Sequence, residues 1–341
     1  MSKEAFLARS RSYPEIRQKG CVGSFNDGPE IELQGVRTRL VAWPGNGFLG
    51  GSVHVLTLRP GDSSTMYQYD VSEELLVCLK GSGEVYVRDR WVTIAPGDIA
   101  YVPEGLPHGV RNPRGNTADF VLVSQLTPPS VDLYEPAGFF EREHQRMRLD
   151  EIQRAIAAAT PGSLSLTNEL QYREDHPELR PWNLTRQEIR HGGALFNIFR
   201  GATFGGIGVP MRILLYPGFG ARMTNLHVGI IPAQGGADIH THPISDDCIF
   251  VMEGGTEGHL GGDWVRIEPY EAAMAPVGVV HGGRPNGNGI ASLVLGFGAP
   301  AELDVYLKSD DLFKDGHYTD VAFERLEWPP SGAVGDAHPP V

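Results

Sequence analysis

Positive charge is scarce in this chain of 341 residues. Lysine and arginine together number 29 against 42 aspartates and glutamates, which gives a formal net charge of −13. Proteins that bind nucleic acid or anionic membranes present a basic patch or stripe, and this composition does not supply one. We therefore expect neither nucleic acid nor a membrane as a partner.

Cysteine and long apolar runs are also scarce. The three cysteines (Cys21, Cys78 and Cys248) are widely spaced and odd in number, so they do not form a disulfide framework. No apolar run approaches the roughly 20 residues that a membrane-spanning helix needs. Residues 1–20 are charged and lack the apolar segment of a signal peptide. Together these absences predict a cytoplasmic protein.

Glycine and proline, in contrast, are abundant. The 43 glycines and 26 prolines are typical of a protein with many short strands joined by turns. Hydrophobic residues make up 41% of the chain, which is ample for a core. At about 150 residues per domain, the length indicates two domains.

The most informative chemical pattern lies in the second half of the chain. His240 and His242 are two residues apart in a segment that reads as extended, so their side chains project from the same face. Asp247 follows, then a glycine turn, a second strand and His281. Three imidazoles and one carboxylate from different strands suit a six-coordinate divalent metal with open positions.

These segments resemble the two conserved motifs of the cupin superfamily, whose small β-barrels hold a metal in their mouth. The first motif of the family runs His-x-His, a short spacer, Glu and Gly, as residues 240–254 do with Asp in the acid position. The second motif runs Pro-x-Gly-x-x-His, as residues 276–281 do. The resemblance implies a double-stranded β-helix, or jelly-roll, barrel with a metal-dependent activity.

Matched residue by residue, the resemblance implies that His240, His242 and His281 are metal ligands. Asp247 stands where the family has glutamate, and its side chain is one methylene shorter. Direct ligation, ligation through water and a hydrogen bond to a ligating imidazole all remain open for it. Asp246 is the alternative carboxylate, although strand alternation points it to the opposite face.

An internal repeat extends the pattern to the whole chain. A shift of 173 residues aligns positions 39–111 with positions 212–284 without a gap, and 19 of the 73 columns are identical. The identical pairs include Pro44/Pro217, His54/His227, Gly81/Gly254, Trp91/Trp264, Pro103/Pro276, Gly105/Gly278, His108/His281 and Arg111/Arg284. The chain is therefore predicted to be a tandem duplication with two barrels.

The duplication suggests a division of the chain. Residues 1–37 are interpreted as an irregular N-terminal arm that packs on a neighbouring barrel or subunit, and 309–341 as a tail. The first barrel is placed at 38–134, the second at 201–308, and a partly helical linker at 135–200, with its helix over 149–159. Turn residues delimit seven strands in the first barrel: Arg39–Trp43, Ser52–Arg59, Leu75–Leu79, Glu84–Arg88, Trp91–Ile94, Ile99–Val102 and Phe120–Ser124.

The two copies differ at the metal positions. Tyr67 and Tyr69 occupy the places of the paired histidines in the first copy, while Glu74 and His108 keep the other two. Phenols, with a pKa near ~10, are poor ligands for ordinary divalent metals at neutral pH. The first barrel is therefore predicted to keep the fold without the metal, with an Fe(III)–tyrosinate site as the minor alternative.

Other chemistry-bearing residues are given structural roles. His54 and His227 recur in both copies, including the one without the metal set, which favours packing or hydrogen bonding in the core. Arg284 has a twin in Arg111, so a shared salt bridge is favoured over substrate binding. His259 lies away from the motif positions and is interpreted as a solvated strand residue.

We therefore expect a metal-dependent enzyme whose site is in the second barrel. The first hypothesis is an Fe(II) dioxygenase acting on a small chelating organic acid. One alternative is a Mn(II)- or Zn(II)-dependent hydrolase or isomerase of a small polar acid, similar to the aminohydrolase of purine breakdown; Ni(II) and Cu(II) also suit the ligands. Another is a ligand-binding protein without catalysis. The substrate is expected to be anionic and the chain to form a homodimer or higher homo-oligomer.

Overall fold

The computed structural model describes residues 11–25, 28–137, 184–198, 202–216 and 220–300. Within these ranges the chain is almost entirely β, with 21 strands and two short α-helices. The all-β class is thereby confirmed. No helix in this part of the chain is both long and apolar enough to cross a membrane.

The first half contains helix α1 (Tyr13–Lys19) and ten strands. The strands are β1 (Cys21–Ser24), β2 (Glu30–Leu33), β3 (Val36–Ala42), β4 (Ser52–Leu58), β5 (Glu73–Lys80), β6 (Gly83–Val87), β7 (Arg90–Ile94), β8 (Asp98–Val102), β9 (Gly109–Arg111) and β10 (Phe120–Thr127). Two 3-10 turns cover Pro44–Asn46 and Val131–Ala137. All seven strands predicted for the first barrel are present, as β3 to β8 and β10.

The second half contains helix α2 (Arg186–Gly192) and eleven strands. The strands are β11 (Ala194–Asn197), β12 (Ala202–Gly206), β13 (Val209–Leu215), β14 (Leu226–Ile231), β15 (Ala237–His240), β16 (Asp246–Glu253), β17 (Thr256–Leu260), β18 (Asp263–Ile267), β19 (Glu271–Ala275), β20 (His281–Pro285) and β21 (Ser292–Ala299). The helix predicted over 149–159 and the tail at 309–341 lie outside the described residues.

Each barrel consists of one large and one small antiparallel sheet. The first barrel combines a seven-stranded sheet, ordered β11-β8-β5-β10-β4-β3-β2, with the three-stranded sheet β7-β6-β9. The second combines the seven-stranded sheet β1-β19-β16-β21-β14-β13-β12 with the four-stranded sheet β15-β20-β17-β18. Buried side chains from both sheets meet inside each barrel, as Leu56 and Val85 do in the first and Ile231 and Leu260 do in the second.

The two halves exchange their first strands. Strand β1 pairs with β19 of the second barrel, with Cys21 opposite Met274, and β11 pairs with β8 of the first barrel, with Ala194 opposite Tyr101. A large apolar cluster accordingly runs through both halves. The exchange covers a sheet edge in each barrel that would otherwise present unpaired backbone groups.

The described part of the predicted arm forms helix α1 and strands β1 and β2 instead of irregular structure, and β1 packs on the second barrel. Helix α1 begins after Ser12, whose backbone N–H donates to the Glu15 carboxylate, and β1 follows it directly. Helix α2 begins after Thr185 with the same arrangement at Glu188. These positions are also 173 residues apart, so the duplicated unit begins near residue 12 rather than near residue 39. Few identities remain there, but the Ser/Thr-x-x-Glu capping pattern marks both helix starts.

Candidate metal centre

The fold brings the three predicted histidines together at one end of the second barrel. His240 ends β15 and His281 begins β20, and the two residues face each other in the pairing of these strands. His242 lies two residues beyond β15. One side-chain nitrogen from each of the three lies within 4.8 Å of the other two. This spacing allows a single ion to contact all three rings.

A glycine turn positions the second motif against the first. Gly278 has a φ of 79°, a left-handed conformation that favours glycine. Its N–H donates to the carbonyl of His242 at 2.9 Å, so the turn before His281 is tied to the segment that carries His242. The first barrel has the same turn: Gly105 has a φ of 74°, and its N–H donates to the carbonyl of Tyr69 at 2.7 Å. The turn belongs to the barrel itself, whether or not histidines accompany it.

Backbone carbonyls orient two of the imidazoles. Nδ1 of His240 lies 2.7 Å from the carbonyl oxygen of Asp238, and Nδ1 of His281 lies 2.9 Å from that of Val279. A carbonyl only accepts, so each Nδ1 carries the proton and each Nε2 presents its lone pair. Metal-binding histidines are usually held in this way. Burial also lowers the pKa of His240 to about 4, which keeps the ring neutral.

Asp247 completes the set. It lies in β16 and is buried, with Oδ2 3.3 Å from Nε2 of His281. Oδ1 is buried too and has no hydrogen-bond partner among the described residues. Burial by itself would raise the pKa of Asp247, but the adjacent imidazoles, His281 first and then His242 and His227, hold it below its usual value. A buried carboxylate with an unbonded oxygen next to three imidazoles fits a divalent cation.

Asp246, the alternative carboxylate, has another role. One of its oxygens accepts hydrogen bonds from the backbone N–H groups of Leu49 and Gly50 in the first half, both at 2.7 Å. The other accepts from the N–H of Val277 at 2.8 Å. Asp246 therefore links the two halves of the chain. Its side chain points away from the histidines, as the alternation of strand faces suggested, and Asp247 is the carboxylate beside them.

A cavity extends from the histidines into the barrel. Counted with the solvent at its mouth, it holds about 640 Å³. His240 and His281 contribute to its wall, which is otherwise mostly aliphatic side chains and glycine. Among the described residues, no aspartate, glutamate, lysine or arginine lines it. Sequence reasoning missed this cavity, although the barrel resemblance implied an enclosed interior.

The corresponding site in the first barrel is internally bonded. Glu74 accepts from Nε2 of His108 at 2.7 Å, from the hydroxyl of Tyr67 at 3.1 Å and from the hydroxyl of Ser124. Burial, followed by the charges of Glu74 and Tyr69, raises the pKa of Tyr67 well above its usual value, so its hydroxyl keeps its proton. The carboxylate thus finds its partners within the protein, which supports the interpretation of this barrel as a scaffold.

Two residues that were given structural roles, Arg284 and His259, lie near Trp264. Arg284 forms a salt bridge with Glu257 at 2.7 Å and lies over the Trp264 ring, and its twin Arg111 repeats both contacts in the first barrel. The prediction of a shared salt bridge is confirmed. The interpretation of His259 as solvated is wrong: the residue is half-buried, its Nδ1 is buried and its ring lines the cavity of the second barrel. His259 packs edge-on against Trp264 and is outside the three-histidine cluster.

The histidine pair that recurs in both copies occupies equivalent positions. His54 lies 3.2 Å from the hydroxyl of Tyr134, as a structural role implies. His54 lines the cavity of the first barrel and His227 lines that of the second. Burial lowers the pKa of both rings to about 4, so both are neutral.

Comparison with known proteins identifies the same architecture. The cupin domain family model matches residues 54–124, the barrel without the three histidines. Protein Ylba from E. coli superposes with a TM-score of 0.57 at 11% identity, over 88% of this chain and 98% of that one. Oxalate decarboxylase from Bacillus subtilis superposes with a TM-score of 0.51 at 14% identity, over 86% and 83% of the two chains. None of the curated proteins matches the sequence. At such identities the likeness is one of fold, and the chain is a cupin-fold protein with two barrels.

Proposed function

We propose that the second barrel is the active site of a metal-dependent enzyme, in which His240, His242, His281 and Asp247 hold one divalent transition metal. The observation that carries this proposal is the convergence of three imidazoles, two of them oriented by backbone carbonyls, beside a buried carboxylate with an unbonded oxygen. Four protein ligands leave two positions open on an octahedral ion. A substrate bound through one atom would leave the other position for a small co-reactant, and a chelating substrate would leave one if Asp247 holds a ligating imidazole instead of the ion.

The protein's own residues prepare the site in three ways. The carbonyls behind His240 and His281 hold the two rings in one tautomer. Asp247 contributes a single negative charge, so a divalent ion keeps a residual charge near plus one that attracts an anionic head group. The aliphatic wall of the cavity excludes water from the bound substrate, which strengthens electrostatic interactions there.

We further propose that the metal is Fe(II) and that the reaction is a dioxygenation of a chelating organic acid. When bound, the metal supplies the redox chemistry of oxygen and a Lewis-acidic centre for the substrate. The cavity supports this choice over hydrolysis. Dioxygen is apolar, and among the described residues the cavity wall offers histidines but no carboxylate to activate water.

A Mn(II) enzyme is the second candidate. The oxalate decarboxylase of Bacillus subtilis has Mn(II) centres, and its structure superposes on this chain with a TM-score of 0.51. The ligand set of imidazoles and one carboxylate suits both metals, because affinity alone does not select between them.

Metal identification in unsupplemented protein tests the proposal first. Elemental analysis should find one equivalent of Fe or Mn per chain, whereas a ligand-binding protein without catalysis should contain no stoichiometric metal. Turnover of a panel of chelating acids by iron-reconstituted protein should then require oxygen. Turnover that continues unchanged without oxygen would remove the dioxygenase hypothesis and leave the Mn(II) alternative.

A further inference from the structure

The interiors of the two barrels differ in size, although the barrels share their framework. The cavity of the first barrel holds about 270 Å³, measured in the same way as the 640 Å³ of the second. Both lie against the motif positions, since Tyr67 and Tyr69 line the first and His240 and His281 line the second. Tyrosine is bulkier than histidine, so the motif positions contribute to the difference, and other positions of the wall differ as well.

Three glycines in the wall of the second cavity distinguish it from the first. At the 173-residue shift, the first barrel has a buried aliphatic side chain where the second has glycine in the cavity wall. The three pairs are Leu56/Gly229, Val85/Gly258 and Val110/Gly283. These glycines lie in strands β14, β17 and β20 and so come from both sheets of the barrel.

The backbone does not require glycine at these positions. None of the three has a positive φ, so any residue could adopt the local conformation. A Cβ on Gly229 would meet only Val294, at 3.2 Å. A Cβ on Gly258 would lie 2.5 Å from the end of the Ile267 side chain, and one on Gly283 would lie 2.9 Å from the end of Ile231, so these two side chains would have to move. Glycine inside a strand weakens it and often marks a close approach of a ligand. Gly229 therefore leaves space open, whereas the ends of Ile267 and Ile231 cover Gly258 and Gly283.

The chemistry of the wall indicates what fills that space. The aliphatic lining residues include Ile207, Val209, Met211, Ile231, Ile249, Val251, Leu260, Ile267 and Val294. A second charged group on a ligand would lose its hydration here and find no opposite charge among the described lining residues. Of the seven exposed large hydrophobic residues in the described ranges, four lie on the segments that carry the ligands: Ile239, Ile244, Val277 and Val280.

We propose that the ligand of this site has one chelating head group and an apolar body, and that the body occupies the aliphatic cavity that Gly229, Gly258 and Gly283 help to line. The position of the head group rests on the proposed metal centre, whereas the position of the body does not. The inference replaces the small chelating acid expected from the sequence with an amphiphilic acid.

The first experiment uses metal-free protein and the neutral apolar dye N-phenyl-1-naphthylamine, so it does not depend on the metal. The wild-type protein should give saturable dye fluorescence. Gly229→Leu, which transfers the residue of the first barrel, should reduce the dye affinity about tenfold or more, because its side chain fills the space. Gly283→Val is the second variant and takes its side chain from the matching position, Val110. Wild-type protein that shows no saturable dye binding would overturn the proposal.

The second experiment uses Co(II)-loaded wild-type protein and straight-chain hydroxamates from acetohydroxamate to octanohydroxamate. The shift of the Co(II) absorption bands measures binding of the head group. Affinity should rise about fourfold for each methylene that enters the cavity. Succinic acid monohydroxamate is the control with a charged end and should bind more weakly than the alkyl compound of matching length.

The two experiments separate this inference from the proposed metal centre. Failure to load Co(II) would contradict the proposed metal centre. The dye experiment would still test the apolar cavity, because it uses metal-free protein. Loaded protein whose hydroxamate affinities do not depend on chain length, or that prefers the charged control, would overturn the inference and leave the metal centre intact. In Gly229→Leu, acetohydroxamate should bind as in the wild type while octanohydroxamate loses its advantage, and this result also shows that the variant is folded.

Discussion

The two barrels have the same framework and different interiors. Position by position, the second barrel has imidazoles where the first has the phenols of Tyr67 and Tyr69, and glycines where the first has Leu56, Val85 and Val110. The first barrel satisfies its carboxylate, Glu74, with hydrogen bonds from within the protein. The comparison indicates that the framework tolerates either filling, and that a few interior residues decide whether a barrel is a scaffold or a site.

The largest expected difference between the barrels is in metal loading. Replacing His240 with Ala should abolish stoichiometric metal binding, because only two imidazoles and Asp247 would remain. Replacing His108 with Ala should leave the metal content unchanged and lower the free energy of unfolding by about 1–3 kcal/mol, since Glu74 would lose a buried partner. Elemental analysis and urea unfolding of the two variants measure both effects. Equal metal loss from both would show that the two barrels were assigned the wrong roles.

The buried histidine pair should make both barrels sensitive to acid. The folded-state pKa of His54 and of His227 is lowered to about 4, against about 6.5 in an unfolded chain. Between these values the unfolded chain binds more protons, so stability should fall as the pH drops from 6.5 to 4, by about 3 kcal/mol for each histidine. Urea unfolding of metal-free protein at pH 7 and pH 4.5 measures the loss. His54→Gln and His227→Gln should each reduce the pH dependence of the unfolding free energy. An effect from only one of them would show that the two histidines do not contribute equally.

Two reciprocal carboxylates should contribute similarly to the contact between the halves. Glu73 accepts from the backbone N–H groups of Met223 and Thr224 at 2.8 and 2.9 Å, and Asp246 does the same for residues 49 and 50. Glu73→Gln and Asp246→Asn should each cost about 1–3 kcal/mol of unfolding free energy, which urea unfolding measures.

Metal affinity should distinguish the two carboxylates. Asp246 also accepts from the N–H of Val277, in the turn that leads to His281. Asp246→Asn should therefore weaken metal binding, whereas Glu73→Gln should leave it unchanged. Competition with a metallochromic chelator measures the two affinities, and unchanged metal affinity in both variants would contradict a supporting role for Asp246.

The smallest expected effect concerns the arginine that lies over a tryptophan in each barrel. Arg111→Ala and Arg284→Ala should each lower the free energy of unfolding by less than about 1 kcal/mol, because both pairs are partly exposed to solvent. Neither variant should change metal binding or hydroxamate affinity. A strong loss of ligand affinity in Arg284→Ala, without one in Arg111→Ala, would contradict the purely structural role and indicate that Arg284 binds substrate.

Local sequence features predicted most of the framework. Turn residues delimited the seven strands from β3 to β8 and β10, and the spacing of the two motifs predicted that His240, His242 and His281 converge. The assignment of Asp247 rather than Asp246 followed from strand alternation, because alternate side chains point to opposite faces. The short strands β1, β2, β9 and β11 were missed, since three or four residues carry little periodicity.

The sequence alone determined that this protein is a duplicated β-barrel with one histidine-bearing motif set, because strand periodicity, turn chemistry and repetition are properties of neighbouring residues. Only the tertiary structure decided that β1 and β11 change places between the barrels, that Asp246 links the two halves, and that three glycines help to line a cavity beside the metal ligands. These features depend on which distant strand edge is available and on which side chains face each other across a barrel. Such contacts form between residues far apart in the chain, and no local pattern encodes them.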